Sequence, residues 1–379
     1  MVEKNLCKSC GACYKICPQK AINMHESKYG FAVPEIDESK CINCKLCDTV
    51  CKNTTIKNDF KLQESYLVRT FDNNVLSQSR SGGCFMELAK YMIGKYQATV
   101  FGATLKNSEP KYIQINQLED LVNIAGSKYV WCNHYDTFDA VVNLLKMDQY
   151  VLFSGLPCQV AGLKACLKLK CIDCEKLYTV DIVCHGCPST KVYKDYIEMM
   201  EGIYKGKITN FNFRDKNEFG WKSHIESFSI GNKKYFSDVY TRIFYSHYAL
   251  NNSCFYCDYK DVDRVGDFSL ADGWGIEKTN LPLNDDKGAS LVLVNNTKAG
   301  NLFNELKNNL EVFRVELKDY MQPALKKPVD KPVQYEQFWN DYDKGIKYLL
   351  KKYIKYNFGR KIRFYAKIVY YKVKKGSYI

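Results

Sequence analysis

Nowhere in its 379 residues does the sequence hold a run approaching the roughly 20 apolar residues that a membrane-spanning helix needs. That excludes a spanning helix and leaves a soluble or peripheral protein as the expectation. The opening MVEKNLCKSC has no apolar h-region, so no secretory leader is expected. The eighteen cysteines then point to a reducing cytosol, where thiols stay free for metal. Acid is missing altogether from residues 344–379, which carry twelve Lys or Arg and no Asp or Glu. The formal net charge of +13 therefore belongs to the tail, and the remainder carries only +1. A near-neutral body argues against nucleic acid as its partner. Histidine is scarce, at five, and His134, His185 and His224 are proton-donor candidates that as lone histidines more often play structural parts. There is no low-complexity linker, while 46% hydrophobic residues give material for two or three domains with a sizeable core.

What is abundant is cysteine in a doubled pattern. Cys7, Cys10, Cys13 and Cys17 are followed by Pro18, and Cys41, Cys44, Cys47 and Cys51 repeat the spacing CxxCxxCxxxC. Soft thiolates suit iron-sulfur clusters, and three close cysteines plus a distant one wrap a cubane from several sides. Zinc sites more often use two separated CxxC pairs. The doubled motif resembles bacterial-type 4Fe-4S ferredoxins, in which the fourth cysteine of each run ligates the other cluster. On that pattern Cys7, Cys10, Cys13 and Cys51 hold one 4Fe-4S cluster, and Cys41, Cys44, Cys47 and Cys17 hold the second. A ferredoxin unit of two short hairpins and two short helices is expected over residues 1–58.

From about residue 60 the periodicity becomes that of a mixed α/β body. YVLFSGLPC (150–158) reads as a buried strand, and the following QVAGLKACLKL has helical spacing with Pro157 as a first helical residue. LYTVDIVCHG (177–186) repeats the logic, with a helix opening at Pro188 and Ser189. FSIGNKKYF reads as a hairpin about Gly231-Asn232. DFSLADGWG and SLVLVNNT read as further strands, the second leading into a helix.

Ten more cysteines lie in this body. Cys84, Cys132 and Cys166 sit in apolar or helical runs, where cysteine usually serves as a small hydrophobe. Cys158 opens a helix whose N-terminal dipole favours a thiolate. Cys184 and Cys187 sit at a strand mouth, and Cys254 with Cys257 forms a CxxC. A third cluster would need four of these. Spacing alone does not choose them, and Cys171 with Cys174 could instead join Cys254 and Cys257 around zinc. In SRSGG, Gly82 and Gly83 would let backbone N–H groups approach a phosphate at a helix start, with Ser79, Arg80 and Ser81 adding hydroxyls and a cation. An ordinary Gly-Gly helix entry is the plainer explanation.

Four segments, SQSRSGGCF, SGLPCQVAGL, DIVCHGCPS and CFYCDYKDVDRVGDFSLADGWG, following a two-cluster ferredoxin in this order, resemble the coenzyme F420 hydrogenase/dehydrogenase beta subunits. The resemblance covers about residues 3 to 320. It implies a flavin, usually FAD, and a third 4Fe-4S cluster on Cys158, Cys184, Cys254 and Cys257, with Cys187 ranked behind Cys184. It further implies an oxidoreductase that exchanges electrons with a low-potential donor or acceptor protein and passes hydride to or from a small molecule such as coenzyme F420. The alternative is an electron relay with no substrate chemistry of its own.

The expected architecture is therefore an α+β two-cluster ferredoxin-like domain (1–58), a mixed α/β flavoprotein domain (60–335) and a basic helical C-terminal tail (336–379). In the tail, Ile346, Leu349, Leu350, Tyr353 and Ile354 fall on one helical face, and Ile362, Tyr365, Ala366, Val369 and Val373 on one face of a second run. Such basic amphipathic helices pack on a body, dock an acidic partner or lie on anionic lipid. A cytoplasmic protein, peripheral on the inner membrane surface if the tail binds lipid, is the corresponding location.

Overall fold

The computed structural model describes residues 1–54 and 64–374. The boundary expected at 58–60 lies outside the described residues. Two short helices, Ala12–Ile16 and Leu46–Asn53, and a hairpin of β1 (Ile22–Glu26) and β2 (Ala32–Ile36) form the N-terminal unit. Only one of the two expected hairpins is found among the described residues.

The body is built on an eight-stranded mixed sheet of β3 (Glu64–Thr70), β4 (Thr99–Lys106), β5 (Glu109–Ile115), β6 (Val151–Gly155), β7 (Leu177–Ile182), β11 (Phe268–Asp272), β12 (Ser290–Val294) and β13 (Leu310–Arg314). The intervening β8 (Thr209–Asn212), β9 (Glu226–Ile230) and β10 (Lys233–Ser237) make a separate antiparallel sheet, with Gly231 at φ 55° in the tight turn between β9 and β10. In the large sheet the spatial order is β13-β3-β12-β11-β7-β6-β4-β5. Its centre, β4, β6, β7 and β11, is parallel, and antiparallel strands flank it on both sides.

Both faces of the sheet are covered, which is why its central strands are apolar runs rather than alternating ones. On one face, Leu88 and Met92 of the helix Cys84–Tyr96 and Leu302 and Phe303 of the helix Thr297–Leu306 bury Val100, Leu152 and Val292. On the other, Phe138 and Val141 of the helix Tyr135–Lys146 and Val160 and Leu163 of the helix Pro157–Leu169 cover Phe101 and Phe153. Ala12, Ile16 and Val50 of the N-terminal unit join this second core, so the unit shares the body's hydrophobic interior. At the junction, the ring of Tyr135 occupies the space that a side chain at Gly11 (φ 73°) would need.

The first tail helix, Ile346–Lys352, buries Leu349 and Leu350 with Tyr353 and Ile354 in a tyrosine-rich core around the helix Thr190–Tyr204. The second, Phe358–Lys374, buries Phe364 and Ile368 instead. The apolar row read from the sequence, with Ile362, Tyr365, Val369 and Val373, is the exposed one, because the helix meets the body through Phe219 and Ile225 on its other side.

Candidate iron-sulfur and anion sites

Cys17, Cys41, Cys44 and Cys47 line one pocket of about 180 Å³, walled by Ala21, Ile22 and Ile36. The other four N-terminal cysteines form a second group. Burial pushes the Cys7 thiol up to about 12, with Cys10 and Cys51 adding to the shift. Cys13 is raised by burial and then by Cys10, Cys7 and Cys51. The eight N-terminal cysteines thus fall into two neighbourhoods, Cys17 with Cys41, Cys44 and Cys47, and Cys7 with Cys10, Cys13 and Cys51. Cys7 and Cys13, crowded and raised by burial, hold their protons until a strongly cationic centre displaces them.

In the body, Pro157 begins the helix after β6; Gln159 Oε1 accepts the Leu156 N–H at 2.9 Å and the Gln159 N–H donates to the Leu156 carbonyl at 2.9 Å, which fixes Cys158 in the first turn. Burial drives the Cys158 thiol well up, and Cys257, Cys184, Cys10 and Cys254 add to it. These body cysteines are therefore neighbours of one another and of Cys10. Cys187 lies in the same neighbourhood, buried, with its thiol directed to the Pro188 carbonyl at 3.9 Å. Cys174 lies elsewhere, among Lys298, Lys164, Asp173 and Asp267, and Cys171 is exposed, so neither approaches Cys254 and Cys257 as the zinc alternative requires. Among the described residues no three His, Cys, Asp or Glu side chains converge as ligands of a single metal ion. Cys84, Cys132 and Cys166 are buried in apolar surroundings that push each thiol up to about 12.

A clasp that sequence reasoning missed holds the cysteine-bearing loops together. Arg264, seven positions after Cys257, donates from Nε and Nη2 to Asp181 Oδ1 at 3.1 and 2.5 Å, and from Nη2 to the Ile182 carbonyl at 3.0 Å. Both members of the pair are essentially inaccessible to solvent. Lys260 donates to the carbonyls of Cys184 and His185. The basic residues of DYKDVDR therefore tie the CxxC segment to the end of β7. Asn251 and Asn252 donate to the Cys7 and Asn5 carbonyls at 3.1 and 2.9 Å, binding the N-terminal unit at the same place. His134, buried and lowered to about 4 by that burial, sits 3.0 Å from the Cys10 carbonyl and 3.0 Å from the Gln159 amide. Its role is structural.

Ser79 and Arg80 line a cavity of about 570 Å³ together with Lys106, Lys128, Arg214 and Lys216. No carboxylate is among its lining residues. Arg80 is buried, yet only Nη2 is engaged, with the Trp221 carbonyl, while Nε, Nη1 and the hydroxyl of Ser79 have no hydrogen-bond partner. Burial and the charge of Arg214 lower Arg80 to about 10. Lys216 falls to about 7 through burial, Arg80 and Arg69. Asp272, paired with Arg214 and acting also on Arg80, is outnumbered by the cations around the cavity, and the unmet donors of buried Arg80 make this a candidate anion-binding site.

Gly82 and Gly83 are used differently from the phosphate loop expected of SRSGG. Gly82 N–H donates to Ser290 Oγ at 2.9 Å, and a side chain there would meet the Val68 carbonyl and the backbone of Ser290. Gly83 (φ 86°) is pressed against Thr70 as it starts the helix Cys84–Tyr96. Ser81 donates to the Ala289 carbonyl. The glycines serve the close passage of helix entry past the sheet, so Ser79 and Arg80 alone of the five reach the cavity.

An aromatic row, also missed, runs between the two sites. Trp221 stacks on Trp274 at 4.5 Å and 13°, and Trp274 lies near-parallel to His224 at 6.2 Å. His224 meets Tyr245 at 5.4 Å and Tyr245 meets His185, the neighbour of Cys184, at 5.5 Å. Tyr245 Oη lies 3.1 Å from His224 Nδ1. Burial, then Arg214 and Arg80, lower His224 to about 4, so it is neutral near pH 7. Asp272, at the end of β11, pairs with Arg214 at 2.8 Å and accepts from Trp221 Nε1 at 3.4 Å. Asp267 is a buried strand-end residue bonded to Thr179 and Asn296. Lys106, Cys158, Cys184 and Trp274 thus all follow or close the carboxyl ends of the parallel strands, where ligand sites of open α/β sheets gather.

Interleaved cysteine sets on a cysteine-bearing α/β body define an iron-sulfur protein of the electron-transfer type. Residues 148–319 match the family of the carboxyl-terminal part of coenzyme F420 hydrogenase/dehydrogenase beta subunits, and residues 6–54 match a 4Fe-4S dicluster domain. It is 26% identical over 210 residues to the coenzyme F420-dependent sulfite reductase of Methanocaldococcus jannaschii, covering 54% of this chain and 31% of that protein. It is 32% identical over 76 residues to a component of the H2:CoB-CoM heterodisulfide,ferredoxin reductase of Methanothermobacter thermautotrophicus, covering 17% of this chain and 12% of that one. The chain thus spans about a third or less of these two relatives. A component of the F420H2 dehydrogenase of Methanosarcina mazei is 24% identical over 306 residues, with 72% of this chain and 79% of that one covered. A solved chain from the F420-reducing [NiFe] hydrogenase complex of Methanosarcina barkeri has a TM-score of 0.47 at 16% identity, covering 68% of this chain and 84% of its own.

Proposed function

We propose that the protein is an iron-sulfur flavoprotein oxidoreductase that converts between single-electron and hydride transfer. The observation that carries this reading is the cavity with two unmet nitrogens of buried Arg80, no carboxylate and an aromatic row leading from it toward Cys184. A flavin such as FAD, when bound, supplies the exchange of one or two electrons that clusters alone lack. Ser79, Arg80 and Lys216 would hold its phosphates, and Trp274, His224 and Tyr245 offer a flat aromatic surface to its ring. Cys158, Cys184, Cys254 and Cys257 would hold a third 4Fe-4S cluster between the N-terminal pair and that surface.

The chain's own contribution is positional. Asn251, Asn252 and His134 fix the N-terminal unit against the body, and Arg264 with Lys260 sets the third cysteine group. Lys106 and Lys128 leave further positive charge for an anionic hydride acceptor, and the names of the relatives make coenzyme F420 the first candidate. The physiological electron partner is a low-potential redox protein.

Purification without oxygen, followed by iron, sulfide and flavin analysis per chain, tests this. About twelve irons with one flavin is the expected result. About eight irons with no flavin, after reconstitution with FAD, would reduce the chain to a relay for a partner protein.

A further inference from the structure

The tail helix Phe358–Lys374 has two apolar faces; the body packs one and meets the other through the Tyr365 hydroxyl beside Tyr204. Phe364 and Ile368 are 5% and 8% exposed against Phe219 and Ile225, with Tyr371 edge-on to Phe219 at 5.5 Å. That contact fixes the helix's rotation. The opposite row, Phe358, Ile362, Tyr365, Val369 and Val373, recurs every three or four residues and therefore lines one side. Its members are 76%, 53%, 59%, 45% and 70% exposed.

Large apolar side chains left outward in a continuous row mark an interaction surface, whereas single exposed ones need no explanation. The chemistry around the row identifies what it meets. Lys361 and Arg363 border the row, while Lys367 lies over the Tyr371 ring at 5.8 Å toward the packed side and Arg360 donates to the Ile354 carbonyl at 3.3 Å; none of the four forms an ion pair among the described residues, and no acid occurs from residue 344 onward. The surface is a convex helix side about 25 Å long at 1.5 Å per residue, with no cleft to select a shaped partner. A planar apolar phase bordered by negative charge fits it without shape complementarity.

We propose that this face docks the protein on a bilayer containing anionic phospholipid, with Ile362, Val369 and Val373 entering the boundary between headgroups and acyl chains. The basic side chains stay at headgroup level, their stems along the apolar surface. Among the described residues no helix is long and apolar enough to cross a membrane, so the attachment is to the surface. The proposal stands apart from the flavin reading.

The test is co-sedimentation of the full-length protein, clusters intact, with vesicles of phosphatidylcholine alone or mixed with phosphatidylglycerol. Binding is expected only with phosphatidylglycerol, weakening as salt screens the charge. The variant Ile362→Ser/Val369→Ser/Val373→Ser should lower partitioning at least about tenfold while melting temperature and iron content stay unchanged. Lys361→Gln/Arg363→Gln should weaken the preference for phosphatidylglycerol. Failure of the unaltered protein to bind, or binding indifferent to both variants, would overturn the proposal. So would a dimer that the serine variant dissolves without lipid, which would assign the face to a second copy.

Discussion

A side chain built on Gly162 would stand 3.1 Å from the Cβ of Cys10 and 3.4 Å from its sulfur. Gly162 lies one helical turn beyond Cys158, so the two cysteine groups meet across a bare stretch of helix. Gly162→Leu should cost about 1–3 kcal/mol through overpacking and slow electron transfer from the N-terminal clusters into the body. Stopped-flow reduction at unchanged iron content checks it; an unaltered rate would remove this contact from the electron path.

Arg264→Leu leaves Asp181 buried without its cation. The expected loss is about 3–5 kcal/mol of stability, as for other broken buried pairs. The third cysteine group should fail before the N-terminal ones, lowering iron by about a third in the folded fraction if that group holds one of three cubane clusters. Iron analysis after reconstitution distinguishes this from general unfolding.

Arg80→Gln removes a buried guanidinium with two unmet nitrogens, so the anion-free protein should be no less stable than the parent and its melting temperature unchanged or higher. Affinity for FAD or pyrophosphate should fall by about 1.5–3 kcal/mol, the value of hydrogen bonds to a charged group. Calorimetric titration beside a melting curve reads both. Equal affinity in the two proteins would detach Arg80 from any ligand.

Lys216 is protonated below about 7 and increasingly neutral above it, because burial and Arg80 oppose its charge. A bound phosphate restores that charge. Affinity for pyrophosphate should therefore weaken as pH rises above about 7, with proton uptake on binding, and Lys216→Met should flatten the profile. In the free protein the folded state releases this proton before the unfolded chain does, so Lys216 contributes stability that increases from about pH 7 toward its ordinary value of 10.5.

The N-terminal cysteine sets, the strands β6, β7, β11 and β12 and the Gly231 turn were legible because each is local. Ligand spacing, an apolar run or a positive-φ turn is written within a dozen residues. SRSGG misled in part for the same reason: Gly-Gly before a helix looks alike whether it meets a phosphate or, as Gly82 does, the backbone of Ser290. The rotation of the tail helix was similarly ambiguous, since Phe364 and Ile368 on one side and Ile362 and Val369 on the other are both apolar.

Sequence alone determined the chemistry available: two interleaved sets of soft ligands, further cysteines at strand ends, and a tail without acid. Tertiary structure decided which of these meet. The Asp181–Arg264 pair spans 83 positions, and the Arg80 cavity draws on four separate segments of the chain. Pairings at that range depend on which strands the sheet makes neighbours, and a burial that leaves two nitrogens of Arg80 without a partner exists only once the chain has closed around it.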